Sequence, residues 1–409
     1  MTADKEQMIV SVDIGTSKVV VLIAEISSFG KMYIKGLGTC PSVGLRKGAV
    51  INIESTMQAI TKAVQEAENM ANYKIHSAHV GIAGSHINSV NSHGIVAVKD
   101  KEVTVKDINK VIDAAKAVII PADQRTLHIL PQEYVVDEQV EIREPLGMAG
   151  VRLEAWVHLI TCASNAAKNI ERCVNLCNLK IENMVLEQLA SSYAVLTDDE
   201  KELGVCLVDI GGGTTDIAVF TKGAIRYTAT IPIAGDHVTN DIAIALRIPV
   251  NHAEEIKIKY ACVTSKSIND KDVIKISNHN DKRLKEVSRR FLVSVVKPRY
   301  EEIFSLIKRE LLKSGFEDQL VSGIVLTGGT SKMEGAVAMA SNIFNMPTRL
   351  GVPLETLGMN ELLSNPIYAT GVGLLQYSYN LQQGSDIKTR NQPSKGIFRY
   401  LRCWFQENF

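Results

Sequence analysis

This 409-residue chain lacks a net charge, a long hydrophobic run and a P-loop. Lys plus Arg and Asp plus Glu both total 45, so the charge balance gives no sign of nucleic-acid binding, and no basic patch interleaved with aromatics supplies one. The longest apolar runs, such as Val19 to Ala24, are far too short to cross a bilayer. Polar Met1 to Gln7 opens the chain without the pattern of a signal peptide. The expectation is a soluble body in the cytoplasm. Seven cysteines fall in no metal-ligand or disulfide pattern, with Cys173 and Cys177 four apart as small apolar helix residues, which fits a reducing compartment. His76 and His79 are neighbours without an accompanying carboxylate or cysteine cluster, so surface or core histidines are expected there. The pattern G-x-x-x-x-G-K-[ST] is absent, which excludes the P-loop route to nucleotides.

What is present is a repeated phrase. Val12 to Val19 reads VDIGTSKV, and Val208 to Phe220 reads VDIGGGTTDIAVF. In each copy a β-rich run delivers an aspartate, turns on glycine and hydroxyl residues, and leaves as a second β-branched run. Gly15, Gly211, Gly212 and Gly213 carry no Cβ, so backbone N–H groups can adopt positive φ and approach phosphate oxygens closely. Thr16, Ser17, Thr214 and Thr215 add neutral donors. Asp13 and Asp209 share the sign of phosphate, so a carboxylate beside each loop makes sense when a divalent cation, assigned as magnesium with its waters, lies between them. Lys18 offsets the remaining negative charge. Either hairpin alone could be an ordinary turn; two matching copies argue for two like halves around one nucleotide.

A third glycine element follows a buried-type strand, Ile324 to Thr327. Gly328 and Gly329, with Thr330 and Met333 after them, let a nucleoside pack against bare backbone at the strand's carboxyl end, where open α/β sheets bind ligands. A tight strand-to-helix turn alone would look similar.

First hairpin, helix, second hairpin, GG turn and second helix, in that order, resemble the actin, Hsp70 and sugar-kinase ATPase superfamily. The connecting helices would be Glu187 to Ala194 and Pro366 to Gly373, with small residues where they cross. From about Ile9 onward the chain is most similar to the FtsA family of bacterial cell division proteins. The resemblance implies an α/β, two-lobed actin-like ATPase fold with an inserted α+β subdomain of 1C type and a C-terminal amphipathic helix. It divides the chain into a lobe 1 core (1–83 and 163–195), the insert (84–162), a lobe 2 core (196–234 and 314–379), subdomain 2B (235–313), a linker (380–394) and a terminal helix (395–409). Matching positions make Gly235 and Lys257 candidates for ribose and adenine contacts, and Glu187 the water-orienting residue, although Gln188 replaces the family's usual proline. ATP with Mg2+ is the implied cofactor, with slow hydrolysis at most.

Partners are implied as well. The insert holds one clear helix, Val105 to Val118, among strand-like runs at Thr126 to Ile129, Tyr134 to Val140 and Ala155 to Thr161. By resemblance it contacts other subunits and later division proteins. Cations cluster along Val287 to Lys313, ordinarily a solvated face. By resemblance this region takes the C-terminal peptide of FtsZ, with Arg299 first among the candidates and Lys297 and Arg290 beside it.

The terminal segment is legible from its own residues. Beyond a polar stretch, Asn380 to Ser394, residues Ile397, Phe398, Leu401, Trp404, Phe405 and Phe409 fall within one helical face of roughly 140°. Lys395, Arg399 and Arg402 lie beside or opposite it. That is the composition of a helix lying in a membrane interface with cations on anionic headgroups, the alternative being a terminal helix docked on the protein's own core. One such helix binds modestly, so firm attachment requires the linked copies that a head-to-tail filament provides. The implied location is the cytoplasmic face of the inner membrane at the division septum, as a peripheral protein that anchors the FtsZ ring. A pilus-assembly actin relative is the alternative without the terminal helix. A small-molecule kinase of the same superfamily would need a general-base aspartate in a substrate cleft, and none can be assigned.

Overall fold

The computed structural model describes residues 7–27, 30–264, 268–269, 272–278, 281–354 and 358–386. Two five-stranded sheets carry the architecture, and they share one topology. In the first, the spatial order is Lys180–Leu186, Ser77–Ile82, Gln7–Ile14, Lys18–Ile26, Met32–Pro41. In the second it is Thr348–Leu350, Gly323–Thr327, Val205–Ile210, Thr215–Thr221, Ala224–Ile231. Each has an antiparallel hairpin continued by a third antiparallel strand on one side and by two parallel strands on the other. The repeated phrase is therefore the central hairpin of each lobe.

Alternation within the strands decides which way each lobe buries its side chains. Val10, Val12, Ile14, Val19, Val21 and Ile23 face helix Ile53–Ala71 on the outer side of the first sheet. Ile9, Val20, Leu22 and Ala24 face inward. There they meet the connecting helices Glu187–Val195 and Ala369–Asp386 and one face of the second sheet, including Leu207, Ala218 and Val325. The opposite face of that sheet shares a core with helix Gly235–Leu246 and the long helix Arg289–Ser314, through Val208, Ile217, Val238, Ile242, Tyr300 and Phe304. Sheets covered on both faces read as near-continuous apolar runs, which is what both hairpins show. The core of residues 235–313 is thus continuous with the second sheet.

The insert has a core of its own. Strands Ile87–Ala97, Arg152–Ala163, Gln124–Val136 and Gln139–Ile142 form one antiparallel sheet, in that spatial order. Helix Val105–Ala115 starts on a Thr104/Asp107 capping box and buries Ile108, Val111 and Ile112 against the sheet. Three local expectations change. The helix expected to run to Val118 ends at Ala115. The run read as one strand from Tyr134 to Val140 is broken at Asp137, whose φ of 55° makes the turn between two strands. The last helix continues to Asp386, past Tyr379 where the linker was expected to begin, because Leu381, Gln382 and Gln383 favour helix. Residues 387–409 lie outside the described residues, and with them most of the expected linker and all of the expected membrane helix: Ile397, Phe398, Arg399, Leu401, Arg402, Trp404, Phe405 and Phe409. Among the described residues no helix is long and apolar enough to cross a membrane.

Candidate functional site

Both hairpins close in the same way. The Gly15 N–H donates to the Lys18 carbonyl at 3.0 Å, and the Gly211 N–H donates to the Thr214 carbonyl at 3.0 Å. Asp13 pairs across its ladder with Val20, and Asp209 pairs with Asp216. The two turns point at each other from the carboxyl ends of their strands and bound a cavity of about 520 Å³.

The cavity gathers most of the residues expected from the sequence. Its lining includes Asp13, Gly15, Thr16, Ser17 and Lys18 from the first hairpin, Asp209, Gly211, Gly212, Gly213 and Thr214 from the second, and Glu187 between them. Gly328, Gly329, Thr330, Met333 and Lys257 line the remainder. Two expected residues do not line it. Thr215 is fully buried and its hydroxyl donates to the Ile233 carbonyl at 2.8 Å. Gly235 lies behind the second turn, its N–H on the Gly211 carbonyl at 3.1 Å, and a Cβ there would come within 2.3 Å of Thr330 Oγ1. Gly235 sets how closely helix Gly235–Leu246 approaches the turn.

Positive φ is not what the hairpin glycines supply. None of Gly15, Gly211, Gly212 or Gly213 has positive φ. Gly212 and Gly213 allow contact between the turns: a Cβ on Gly212 would lie 1.8 Å from Ser17 Oγ, and one on Gly213 would lie 2.6 Å from Thr16 Oγ1. Gly328 does use a positive φ of 83°, and a Cβ there would meet Asp209 Oδ1 at 2.4 Å.

Charge is concentrated at the hairpin end. Burial raises the Asp13 carboxyl to about 7, with Lys18 opposing and Asp209 adding to the rise. Burial also raises Asp209, against hydrogen bonds from Ser191 and Thr370. Glu187 is pushed well above the usual carboxylate range by burial and then by Asp13, Asp216 and Asp209. Lys18 is drawn down to about 8 by burial, against the pull of Asp13 and Asp209. Its Nζ donates to the Ile367 carbonyl at 3.0 Å and stands 4.8 Å over the Tyr368 ring. Asp216 was missed by the sequence reading. It lines the cavity, is raised to about 7 by burial, and accepts from Thr214 Oγ1 at 2.8 Å and Thr230 Oγ1 at 2.6 Å. The available signal was an aspartate inside an otherwise apolar strand.

Among the described residues no three His, Cys, Asp or Glu side chains converge tightly enough to hold a metal directly. The carboxylates nevertheless fit a divalent cation held through water, because several acids are buried close together with Lys18 as the nearby cation. Carboxyls whose folded pKa is raised stabilise the fold at low pH, and that contribution is lost between the unfolded value of 3.8 and about 7. A cation that binds the ionised forms restores it above pH 7. Mg2+ is therefore expected to raise the midpoint of thermal unfolding more at pH 8 than at pH 5.5, by a few degrees. An equal shift at both pH values would show that these carboxyls do not face the cation.

The far end of the cavity is lined by Lys257, Ile258, Ala261, Arg289, Tyr300, Met333 and Glu334. Lys257 Nζ pairs with Glu254 at 2.7 Å and donates to Thr239 Oγ1 at 2.9 Å. Arg289 bridges the Tyr260 carbonyl at 2.9 Å and Glu334 at 3.0 Å. The Tyr300 hydroxyl donates to the Thr330 carbonyl at 2.8 Å, tying the long helix to the glycine turn.

The three cations expected to form one partner surface are separated. At 100° per residue, Lys297 lies on the same flank of helix Arg289–Ser314 as Arg290, and Arg299 lies half a turn away. The buried stripe of Leu292, Val296, Tyr300 and Ile303 runs between the two flanks. Arg299 faces helix Gly235–Leu246 and grips Asp241 with Nε and Nη2 at 2.7 and 3.0 Å, while Nη1 reaches Glu302. Lys297 pairs with Glu301 at 3.6 Å on the other flank. On a helix that buries one face, cations nine residues apart fall on opposite sides of the buried stripe.

The first connecting helix carries one unexplained cost. Gln188 is fully buried and its amide has no hydrogen-bond partner among the described residues.

Comparisons with known proteins agree with this architecture. The sequence model described as "Cell division protein FtsA" matches residues 206–373, and the one described as "SHS2 domain inserted in FTSA" matches residues 84–161. A Pseudomonas aeruginosa cell division protein FtsA is 58% identical over 98% of this chain and 98% of its own. The Escherichia coli K12 protein of the same name is 39% identical over 100% of this chain and 99% of its own. Among solved structures, a PilM–PilN type IV pilus biogenesis complex matches with TM-score 0.66 at 16% identity, covering 91% of this chain and 98% of that one. MreB5 of Spiroplasma citri bound to AMPPNP matches with TM-score 0.58 at 14% identity, covering 94% and 99%. Identities this low establish the two-lobed actin-like fold and nothing further.

Proposed function

The chain belongs to the FtsA family of cell division proteins, and from that premise we propose that it binds ATP with Mg2+ between its lobes and polymerises on the cytoplasmic membrane at the septum, where it anchors the FtsZ ring. The observation that carries the nucleotide part is the cavity between two equivalent hairpins, where turn amides, Lys18 and the carboxylates Asp13 and Asp209 meet. The amides and Lys18 hold phosphate oxygens, and the two aspartates hold the cation through its waters. Glycines at Gly328 and Gly329 leave room for the nucleoside, with Met333 and Lys257 beside it. The bound nucleotide supplies the phosphoanhydride bond, and Glu187 orients water toward it. Hydrolysis is slow at most and serves assembly.

The partner reading centres on Arg299. Asp241 holds its fork in place, and Glu302, three residues on and half-exposed, is the group that an acidic residue of the FtsZ tail would replace. Lys297 and Arg290 stand on the opposite flank of the same helix. Later division proteins dock on the insert.

Membrane attachment rests on residues 395–409, whose aromatic-rich apolar face and flanking cations suit an anionic interface. Linked copies along a filament convert modest single-helix binding into stable attachment. The test is cosedimentation with anionic liposomes, with and without MgATP, comparing the full chain with one truncated after Ser394. Binding that depends on nucleotide and disappears on truncation is the expected result. Equal sedimentation of the two chains would overturn the membrane reading.

A further inference from the structure

The insert reaches the hinge through one histidine. Strand Gln124–Val136 carries His128, which is 2% exposed. Its Nε2 accepts the Leu186 N–H at 3.0 Å. Leu186 immediately precedes Glu187 and begins the first connecting helix without a side-chain cap. The same imidazole meets Tyr377 of the second connecting helix edge-on, with centroids 6.2 Å apart. Tyr377 in turn meets Tyr193 of the first connecting helix edge-on at 5.5 Å. One ring from the insert therefore touches both connecting helices, and at the start of the first it holds the amide of the N-cap residue, Leu186.

The chemistry of that bond is specific. An Nε2 that accepts must be unprotonated, so the proton sits on Nδ1, which has no partner among the described residues. Burial alone draws the ring's pKa down to about 3, so it is neutral throughout the physiological range. A buried N–H left unpaired is costly, and a space-filling Leu or Phe would avoid that cost. What neither could do is accept the Leu186 amide.

We propose that His128 is a positioning residue for ATP turnover: by fixing the Val185–Leu186 peptide, one residue before Glu187, it sets the backbone that aims the Glu187 side chain into the phosphate end of the cavity, and so ties the insert to the site. This rests on the reading of Glu187 as the water-orienting group.

The full-length protein tests it through His128→Leu, His128→Gln and Glu187→Ala. Three quantities are measured: MgATP affinity with a fluorescent ATP analogue, the single-turnover hydrolysis rate, and amide exchange over residues 183–190. His128→Leu is expected to slow turnover about tenfold with affinity within about twofold of the parent, and to speed exchange of the Leu186 amide. His128→Gln, whose side-chain carbonyl can accept the same N–H, is expected to recover turnover to within about threefold and to restore protection. On a Glu187→Ala background, His128→Leu should slow turnover no further. If Glu187→Ala slows turnover and His128→Leu does not, the proposal fails while the reading of Glu187 stands. If Glu187→Ala leaves turnover unchanged, that reading fails and takes the proposal with it. Equal losses of affinity and rate in both His128 variants would mean that the ring is only structural.

Discussion

Asp209→Ala is expected to abolish most magnesium-dependent nucleotide binding, a loss of about a hundredfold or more, while leaving the protein folded. The carboxylate stands at the end of the central strand of lobe 2. It accepts from Ser191 Oγ at 2.7 Å and Thr370 Oγ1 at 3.5 Å, one from each connecting helix. Those hydroxyls are 3.0 Å from each other, so they retain a partner when the carboxylate is gone. Removing a buried acid whose ionisation is already disfavoured costs the cation-free fold little, and above neutral pH it is expected to raise the unfolding temperature. Loss of binding with an unchanged or higher unfolding midpoint therefore separates a site effect from misfolding. Titration of a fluorescent ATP analogue with Mg2+ and with chelator provides the reading. If Asp209→Ala keeps both its affinity and its magnesium dependence, the second hairpin does not hold the cation.

Gly373→Val is expected to have the opposite character, a collapse of stability of roughly 3 kcal/mol or more with nucleotide binding lost in consequence. The connecting helices cross at this glycine, and a Cβ there would fall 1.9 Å from the Ala190 carbonyl oxygen and 2.4 Å from its carbon. Helix backbones cannot give way to a side chain as a rotamer can, so the helices must separate. That separation opens the layer of Leu189, Ala190, Val372 and Leu375 that joins the lobes. Thermal unfolding of the soluble fraction, or yield where none is soluble, is the measurement. An unfolding midpoint within a degree or two of the parent would show that the crossing is looser than its geometry requires.

Each lobe delivers an aspartate at the end of its central strand, and each connecting helix supplies a hydroxyl, Ser191 or Thr370, to the same carboxylate. Ser11 of the first sheet donates to the Gly371 carbonyl at 2.9 Å, so both sheets grip the second connecting helix. The connecting helices pack between the two sheets. That is where the insert places His128.

The sequence by itself determined the two hairpins, the glycine turn, the family and the place of the insert. In each of these the signal is local: a residue type at a fixed spacing, within a run whose periodicity matches its burial. Only the tertiary structure decided that Gly212 and Gly213 serve contact between lobes, because their neighbours Ser17 and Thr16 lie almost two hundred residues away in the chain. The same holds for Asp216, which becomes part of the site because its strand enters the cavity beside Asp209, whereas Val20 at the matching position of the first hairpin faces the core between the lobes. Arg290, Lys297 and Arg299 read as one cationic cluster along the chain and stand on two flanks of a helix, since 3.6 residues per turn places nine-residue neighbours on opposite sides. His128 looked like one scattered histidine among nine until folding brought it to the amide of Leu186, the residue that precedes the connecting helix. Spacing along a chain specifies local geometry, and the contacts between lobes are formed by residues whose proximity arises only when both sheets have closed on the helices between them.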